Sequence, residues 1–214
     1  MRSFKTEGII LKRRNFGEAD RILTVFTPSR GKISVLAKGV RRIRSRRAGN
    51  VELLNRAVMY LHQSKGLPIL TEAQTLASFQ KIKEDLTLST YAYHILELVN
   101  KLTAENQENR RLYSDLVEVL GWLSKNPRQI FIRAFEAKIL SNLGFTNFQL
   151  HTQDLSSNVR QLLRDLELSS WEKIEAIKVK EKEALELEHI LRYYIERTIE
   201  GKLKSRQFLK DLYG

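Results

Sequence analysis

The densest concentration of reactive side chains lies in Lys38-Gly39-Val40-Arg41-Arg42-Ile43-Arg44-Ser45-Arg46-Arg47, which holds six cations in ten positions and no acid. Neutralising several phosphates at once is the chemistry such a run suits, because each guanidinium offers a planar fork of donors to phosphate oxygens. Glycine, serine and the density of like charge disfavour a regular strand, so a flexible basic loop is expected here. A solvated loop with no ligand is one alternative. An anionic membrane surface is another, although the run lacks the apolar face that would insert. Arg13, Arg14, Arg21 and Lys32 fall at strand ends or turns nearby and would extend the patch into a groove for a polyanionic strand. Taken singly, each is equally an ordinary surface cation. Phe16, beside Gly17, is the aromatic placed to stack on a base, whereas Phe4, Phe26 and Tyr60 read as core. With few stacking groups, backbone electrostatics should dominate and sequence preference should be slight.

Bond-making chemistry finds no support. The chain has no cysteine, which removes disulfides, thiol catalysis and Cys-type zinc sites. His62, His94, His151 and His189 are scattered without metal-ligand spacing, and Glu188-His189 lacks the second histidine of a zinc-protease helix. Arg30-Gly31-Lys32 lacks the spacing of a P-loop. Glu18 and Asp20 flank a turn and read as orienting Arg21. The expectation is a protein that is not an enzyme, with no cofactor and no metal.

The elements that must carry these residues change character along the chain. Thr6–Arg14, Arg21–Thr27, Lys32–Lys38, Arg56–His62 and Leu67–Leu76 are short runs rich in β-branched residues, separated by turn signals such as Thr27-Pro28-Ser29-Arg30-Gly31. In the third run Ile33, Val35 and Ala37 share one face; in the fourth, Ala57, Met59 and Leu61 alternate with Val58, Tyr60 and His62. Five strands with no intervening helix suit a small closed barrel, an OB-fold or, on pattern alone, an SH3-like one. From about Phe79 the period becomes helical. Leu88, Tyr91, Ile95, Val99 and Leu102 form one stripe, and Leu112, Leu116, Leu120 and Leu123 another. Asn126-Pro127-Arg128-Gln129 reads as a helix start capped by Asn126, leading through Phe131, Phe135, Ile139 and Leu143 to a stop at Gly144. Further helices are expected over 159–168, 182–199 and, capped by Ser205, through Tyr213.

The fold class is therefore α+β, with a five-stranded barrel at 1–80, OB-fold or SH3-like, followed by an all-α domain at 81–214. Charge divides the same way. The net charge is +12, and the first 80 residues hold 16 Lys and Arg against 5 Asp and Glu, while the remainder is nearly balanced at 21 against 20. Segregated charge suggests a polyanion-facing module rather than a solubility device. In the neutral half, the helix from Phe131 to Leu143 reads mostly as core. A second reading lines a groove for a partner peptide there, with Arg133 and Lys138 holding acidic groups. No apolar run approaches the roughly 18 residues of a membrane span. Gly8 to Leu11 is too short for a signal-peptide core, so a cytoplasmic protein is expected.

Several runs resemble the RecO family of bacterial recombination mediators. They are Glu7-Gly8-Ile9-Ile10-Leu11-Lys12-Arg13-Arg14, Gly17-Glu18-Ala19-Asp20-Arg21-Ile22-Leu23-Thr24, Thr27-Pro28, Gly31-Lys32-Ile33 and Ala37-Lys38-Gly39-Val40-Arg41-Arg42. Leu70-Thr71-Glu72-Ala73, Arg133-Ala134-Phe135-Glu136-Ala137-Lys138-Ile139-Leu140, Leu143-Gly144-Phe145 and Gly201-Lys202-Leu203-Lys204-Ser205-Arg206 carry the likeness into both domains. The resemblance implies an OB-fold that binds single- and double-stranded DNA and anneals complementary strands. It also implies work beside RecR to load RecA onto DNA coated by single-strand-binding protein (SSB), whose acidic, apolar C-terminal tail would be a docking peptide. On this reading Lys38, Arg41, Arg42, Arg44, Arg46 and Arg47 grip phosphates and Arg13, Arg14, Arg21 and Lys32 track the strand. Many family members carry a four-cysteine zinc module after the central helix. Here the corresponding stretch, 145–157, is a shortened remnant without cysteine, and no structural zinc is expected. An RNA-binding factor of ribosome or tRNA metabolism is the competing reading, since OB-folds serve RNA equally well.

Overall fold

Residues 3–145, 155–199 and 203 are described by the structure, a computed structural model. The chain forms two compact units, Met1–Gln80 with Thr103–Tyr113, and Lys81–Leu102 with Ser114–Gly214. In the first, strands β1 (Ser3–Phe16), β2 (Asp20–Thr27), β3 (Gly31–Ala37), β4 (Arg56–His62) and β5 (Ile69–Ala77) close into a barrel of order β1-β2-β3-β5-β4. That ring is the OB-fold order, which strand pattern alone left open against an SH3-like barrel. The 14-residue β1 serves both halves. Its first part pairs with β4 from Ser3↔His62 to Ile9↔Arg56, and its second with β2 from Ile9↔Phe26 to Phe16↔Asp20, across a bulge between Ile10 and Lys12. Gly8 sits where β1 passes from one partner to the other. A Cβ there would lie 2.5 Å from Val25 Cγ1 and 2.9 Å from the Phe26 carbonyl oxygen, so the close approach admits only glycine.

Alternation sets the core as the pattern predicts. Ile33, Val35 and Ala37, and Ala57, Met59 and Leu61, all point inward beside Ile10, Leu23, Val25 and Leu70. Phe26 is fully buried and Phe4 packs against the core, but Tyr60 is 41% exposed and is not core. It lies on the outward parity of β4, with Lys5 over its ring. Closure is thinnest between β3 and β5, which share one parallel pair, Leu36↔Ile69. Residues 103–113 complete this unit. The Asn106 N–H donates to the Lys32 carbonyl at 2.8 Å, Ser34 Oγ to Glu105 at 3.4 Å, and Tyr113 meets Phe26 at 6.2 Å between ring centroids.

Seven α-helices lie among the described residues: α1 (Gln80–Glu84), α2 (Leu86–Leu102), α3 (Arg110–Lys125), α4 (Gln129–Asn142), α5 (Ser157–Leu168), α6 (Trp171–Ala176) and α7 (Glu181–Thr198). Tyr91, Ile95 and Val99 of α2, and Leu116, Leu120 and Leu123 of α3, are buried as their spacing requires. The hub of the helical unit is α4, which packs against α2, α5, α6 and α7 and buries Ile130–Ile132 and Ala134–Leu140. Its start differs from expectation. Arg128, in extended conformation, is the N-cap, and Asn126 instead sends its amide to Glu175 at 3.0 Å. Gly144, at φ +83°, follows the helix end as expected. The short α1 and α6 have too few turns to show a period in sequence. Residues 146–154 of the stretch expected to be a shortened remnant (145–157), with His151, and the helix expected after Ser205 lie outside the described residues. Among those described, no helix is long and apolar enough to cross a membrane.

Candidate nucleic-acid interface

The basic segment between β3 and β4 is a succession of hydrogen-bonded turns rather than an open loop. Arg42 N–H donates to the Gly39 carbonyl, Ser45 N–H to Arg42 and Ala48 N–H to Ser45, at 3.2, 2.9 and 3.4 Å. Val40 and Val51, 1% and 0% exposed, plug into the barrel core and pin both ends. The Asp20 carboxylate accepts the Gly39 N–H at 2.7 Å, and the Ala19 carbonyl accepts the Arg41 N–H at 2.9 Å. Asp20 therefore anchors the segment and does not orient Arg21. Apolar anchors and one acid fix where the charges stand, which lowers the ordering cost of binding.

The ten cations singled out in the sequence fall into distinct groups. Alternation along β1 and β2 gives Arg13 and Arg21 the parity of the core residue Leu23, so both point to the barrel mouth. Glu52 receives them there: Arg13 Nη1 binds one carboxylate oxygen and Arg21 Nη1 the other, the latter at 3.3 Å. Glu52 is the sole acid between Asp20 and Glu72, a signal visible in the sequence but not used. Lys32 is 9% exposed on the stretch of β3 that meets Glu105 and Asn106. Burial lowers its pKa and the Glu105 charge only partly restores it. Two loop arginines are spent on backbone carbonyls. Arg41 Nη1 reaches Glu18 at 3.2 Å and Gly17 at 3.5 Å, tying the segment to the β1–β2 turn that bears exposed Phe16. Arg47 donates to Leu70 at 2.6 Å and to Lys38 at 2.8 Å, spanning the β3–β5 seam.

Lys38, Arg42, Arg44 and Arg46 remain. All are exposed, their side chains make no ion pair or hydrogen bond among the described residues, and they line one open concavity of about 490 Å³ with Asp20 and Ser45. Arg14 is exposed and unpaired too, on the outer row Arg14↔Ile22↔Leu36↔Ile69. Four cations around one hollow, without an ion pair among the described residues, suit an anion with several charged groups.

In the helical unit, Arg133 and Lys138 occupy different settings. Arg133 lines a cavity of about 450 Å³ with Arg128, Ile130, Leu185, Leu187 and Glu188. Its guanidinium binds Glu136 at 2.6 Å and Glu188 at 3.4 Å, while His94 Nε2 meets the other Glu136 oxygen at 2.6 Å. Burial works to raise the pKa of the Glu136 carboxyl, yet Arg133 and His94 outweigh it and hold the group below its ordinary value. Lys138 is outside that cavity. Its ammonium donates to the Glu167 and Ser169 carbonyls at 3.0 and 2.8 Å, at the end of α5, beside the Trp171 ring.

Comparison with known proteins finds two family models matching in succession along the chain. The family model for the recombination protein O N-terminal domain matches residues 1–79, and that for its C-terminal domain matches 83–147 and 146–207. The chain belongs to the RecO family. A protein of Acetivibrio thermocellus named DNA repair protein RecO is 40% identical over 148 residues, covering 68% of this chain and 59% of that protein. One of the same name from Desulforamulus reducens is 29% identical over 249 residues, covering all of this chain and 96% of that protein. The second alignment is longer than this chain's 214 residues, so the relative carries segments with no counterpart here. The C-terminal family model also divides at 146–147.

Proposed function

We propose that this protein acts in DNA repair as a recombination mediator, gripping single-stranded and double-stranded DNA at the β3–β4 segment without making or breaking bonds. The observation that carries this reading is the hollow ringed by Lys38, Arg42, Arg44 and Arg46, whose side chains form no ion pair among the described residues. Arg14 extends the track along the barrel's outer face. Arg41, Arg47, Arg13 and Arg21 hold the frame, and their part in binding is indirect. Neutralising two complementary strands together lowers their repulsion and raises their local concentration, which suffices for annealing without ATP. Four phosphate contacts give a salt slope of roughly −3 on single strands.

In the pathway, the mediator works beside RecR to load RecA onto SSB-coated DNA. The acidic, apolar tail of SSB docks in the cavity beside α4, where Ile130, Leu185 and Leu187 supply apolar lining. Arg128, bound only to backbone carbonyls, supplies charge there beside Arg133, which is already paired with Glu136 and Glu188. The test is annealing of fluorescent complementary oligonucleotides precoated with SSB, without ATP or metal, across a salt series. Salt-sensitive annealing is expected. Strands that stay apart, with naked DNA unbound at low salt, would overturn the reading, and preference for matched RNA would reassign the barrel.

A further inference from the structure

Ile43 stands at the tip of the basic segment with its side chain fully exposed, 105% relative to a free reference. It is not loosely held. The Ser45 N–H to Arg42 carbonyl bond makes Ile43 and Arg44 the central pair of a tight turn, flanked by two further turns and anchored through Val40 and Val51. The segment thus sorts its apolar residues into two directions, Val40 inward and Ile43 outward. An isolated surface isoleucine needs no explanation by itself. This one has Arg42 and Arg44 as immediate neighbours, both cationic and without a side-chain partner among the described residues. An apolar protein surface could cover Ile43 only by desolvating those two guanidinium groups, which is costly. A nucleic-acid strand presents the complementary order, phosphates outside and apolar base faces between them.

We infer that Ile43 is a wedge that enters between two adjacent bases of the bound DNA strand while Arg42 and Arg44 hold the flanking phosphates. The inference rests on the DNA-binding reading above and adds what the tip does to the strand. Apolar side chains inserted at a base step partly unstack it. A strand opened in this way presents base edges to an incoming complement, which ties the tip to annealing. The exposed Phe16, on the turn that Arg41 fastens to the segment, lies at the same end of the barrel as a second apolar surface.

The experiment uses the full chain and oligonucleotides with 2-aminopurine at a central position, whose fluorescence rises on unstacking. Ile43→Ala, Ile43→Leu and Arg44→Ala are compared across a salt series. Ile43→Ala should abolish the fluorescence rise and weaken binding by roughly five- to tenfold with an unchanged salt slope. Ile43→Leu should restore the rise, and Arg44→Ala should keep it while flattening the slope by about 0.7. A rise undiminished in Ile43→Ala would overturn the wedge. So would Ile43-dependent binding to anionic phosphatidylserine vesicles with no fluorescence change on DNA. Failure of the wild-type chain to bind any strand at low salt would instead overturn the DNA reading itself, and the wedge with it.

Discussion

Arg47 and Arg44 are three residues apart in one basic run, and replacing each by alanine should break different things. Arg47 donates to the Leu70 and Lys38 carbonyls at 2.6 and 2.8 Å, across a seam where β3 and β5 share one pair of residues, Leu36↔Ile69. Its guanidinium thereby takes the place of missing ladder bonds. Hydrogen bonds to a charged group contribute ~1.5–3 kcal/mol each when buried, and partial exposure on this rim reduces that to about 1 kcal/mol each. Arg47→Ala should therefore lower stability by about 2 kcal/mol, or ~4–8 °C in Tm for a chain of this size. Arg44 makes no hydrogen bond or ion pair among the described residues, so its removal should leave stability within about 0.5 kcal/mol and remove one phosphate contact, about 0.7 from the single-strand salt slope. Thermal melting by circular dichroism and a salt titration of DNA affinity read the two effects separately. Equal melting temperatures for the two variants would refute the closure role of Arg47. Equal loss of salt slope would return it to the phosphate-binding group.

Two further substitutions probe acids that hold cations in place. Glu52→Gln frees Arg13 and Arg21 at the barrel mouth and should steepen the salt slope by up to ~1.4, tightening DNA binding at low salt; an unchanged slope would show that neither arginine faces the strand. Glu136→Gln leaves Arg133 without its buried counter-charge and should cost ~3 kcal/mol in urea unfolding. Because the Glu136 carboxyl titrates below its ordinary value of 4.5, its ionised form stabilises the fold above that pH, and this contribution drains away as pH falls through the lower folded-state value. Wild-type stability should thus drop below about pH 4.5 more steeply than that of Glu136→Gln, and parallel curves would refute the pairing.

Local patterns were legible wherever one face is wet and the other dry. The bounds of β4, read as Arg56–His62, are those observed, and the inward set Ala57, Met59 and Leu61 followed from period two. That alternation puts Tyr60 on the outer face, where it lies; only the rule that aromatics are core misassigns it. Asn126 failed as a cap for a related reason: its composition suits the role, but the chain turns two residues later and its amide finds Glu175 instead.

The sequence by itself determined that charge is segregated, that strands precede helices, and that six cations crowd one connection, because composition and periodicity are properties of neighbours along the chain. It also carried the family's motifs. Only the tertiary structure decided which cations are spent and which are free. Glu52 meets Arg13 and Arg21 from 39 and 31 positions away, Arg47 reaches carbonyls of β5, and Glu105 returns to β3 beside Lys32. Charge in a sequence is a sum over residues, whereas available charge is what remains after the fold has paired them, and pairing over such distances leaves no local trace.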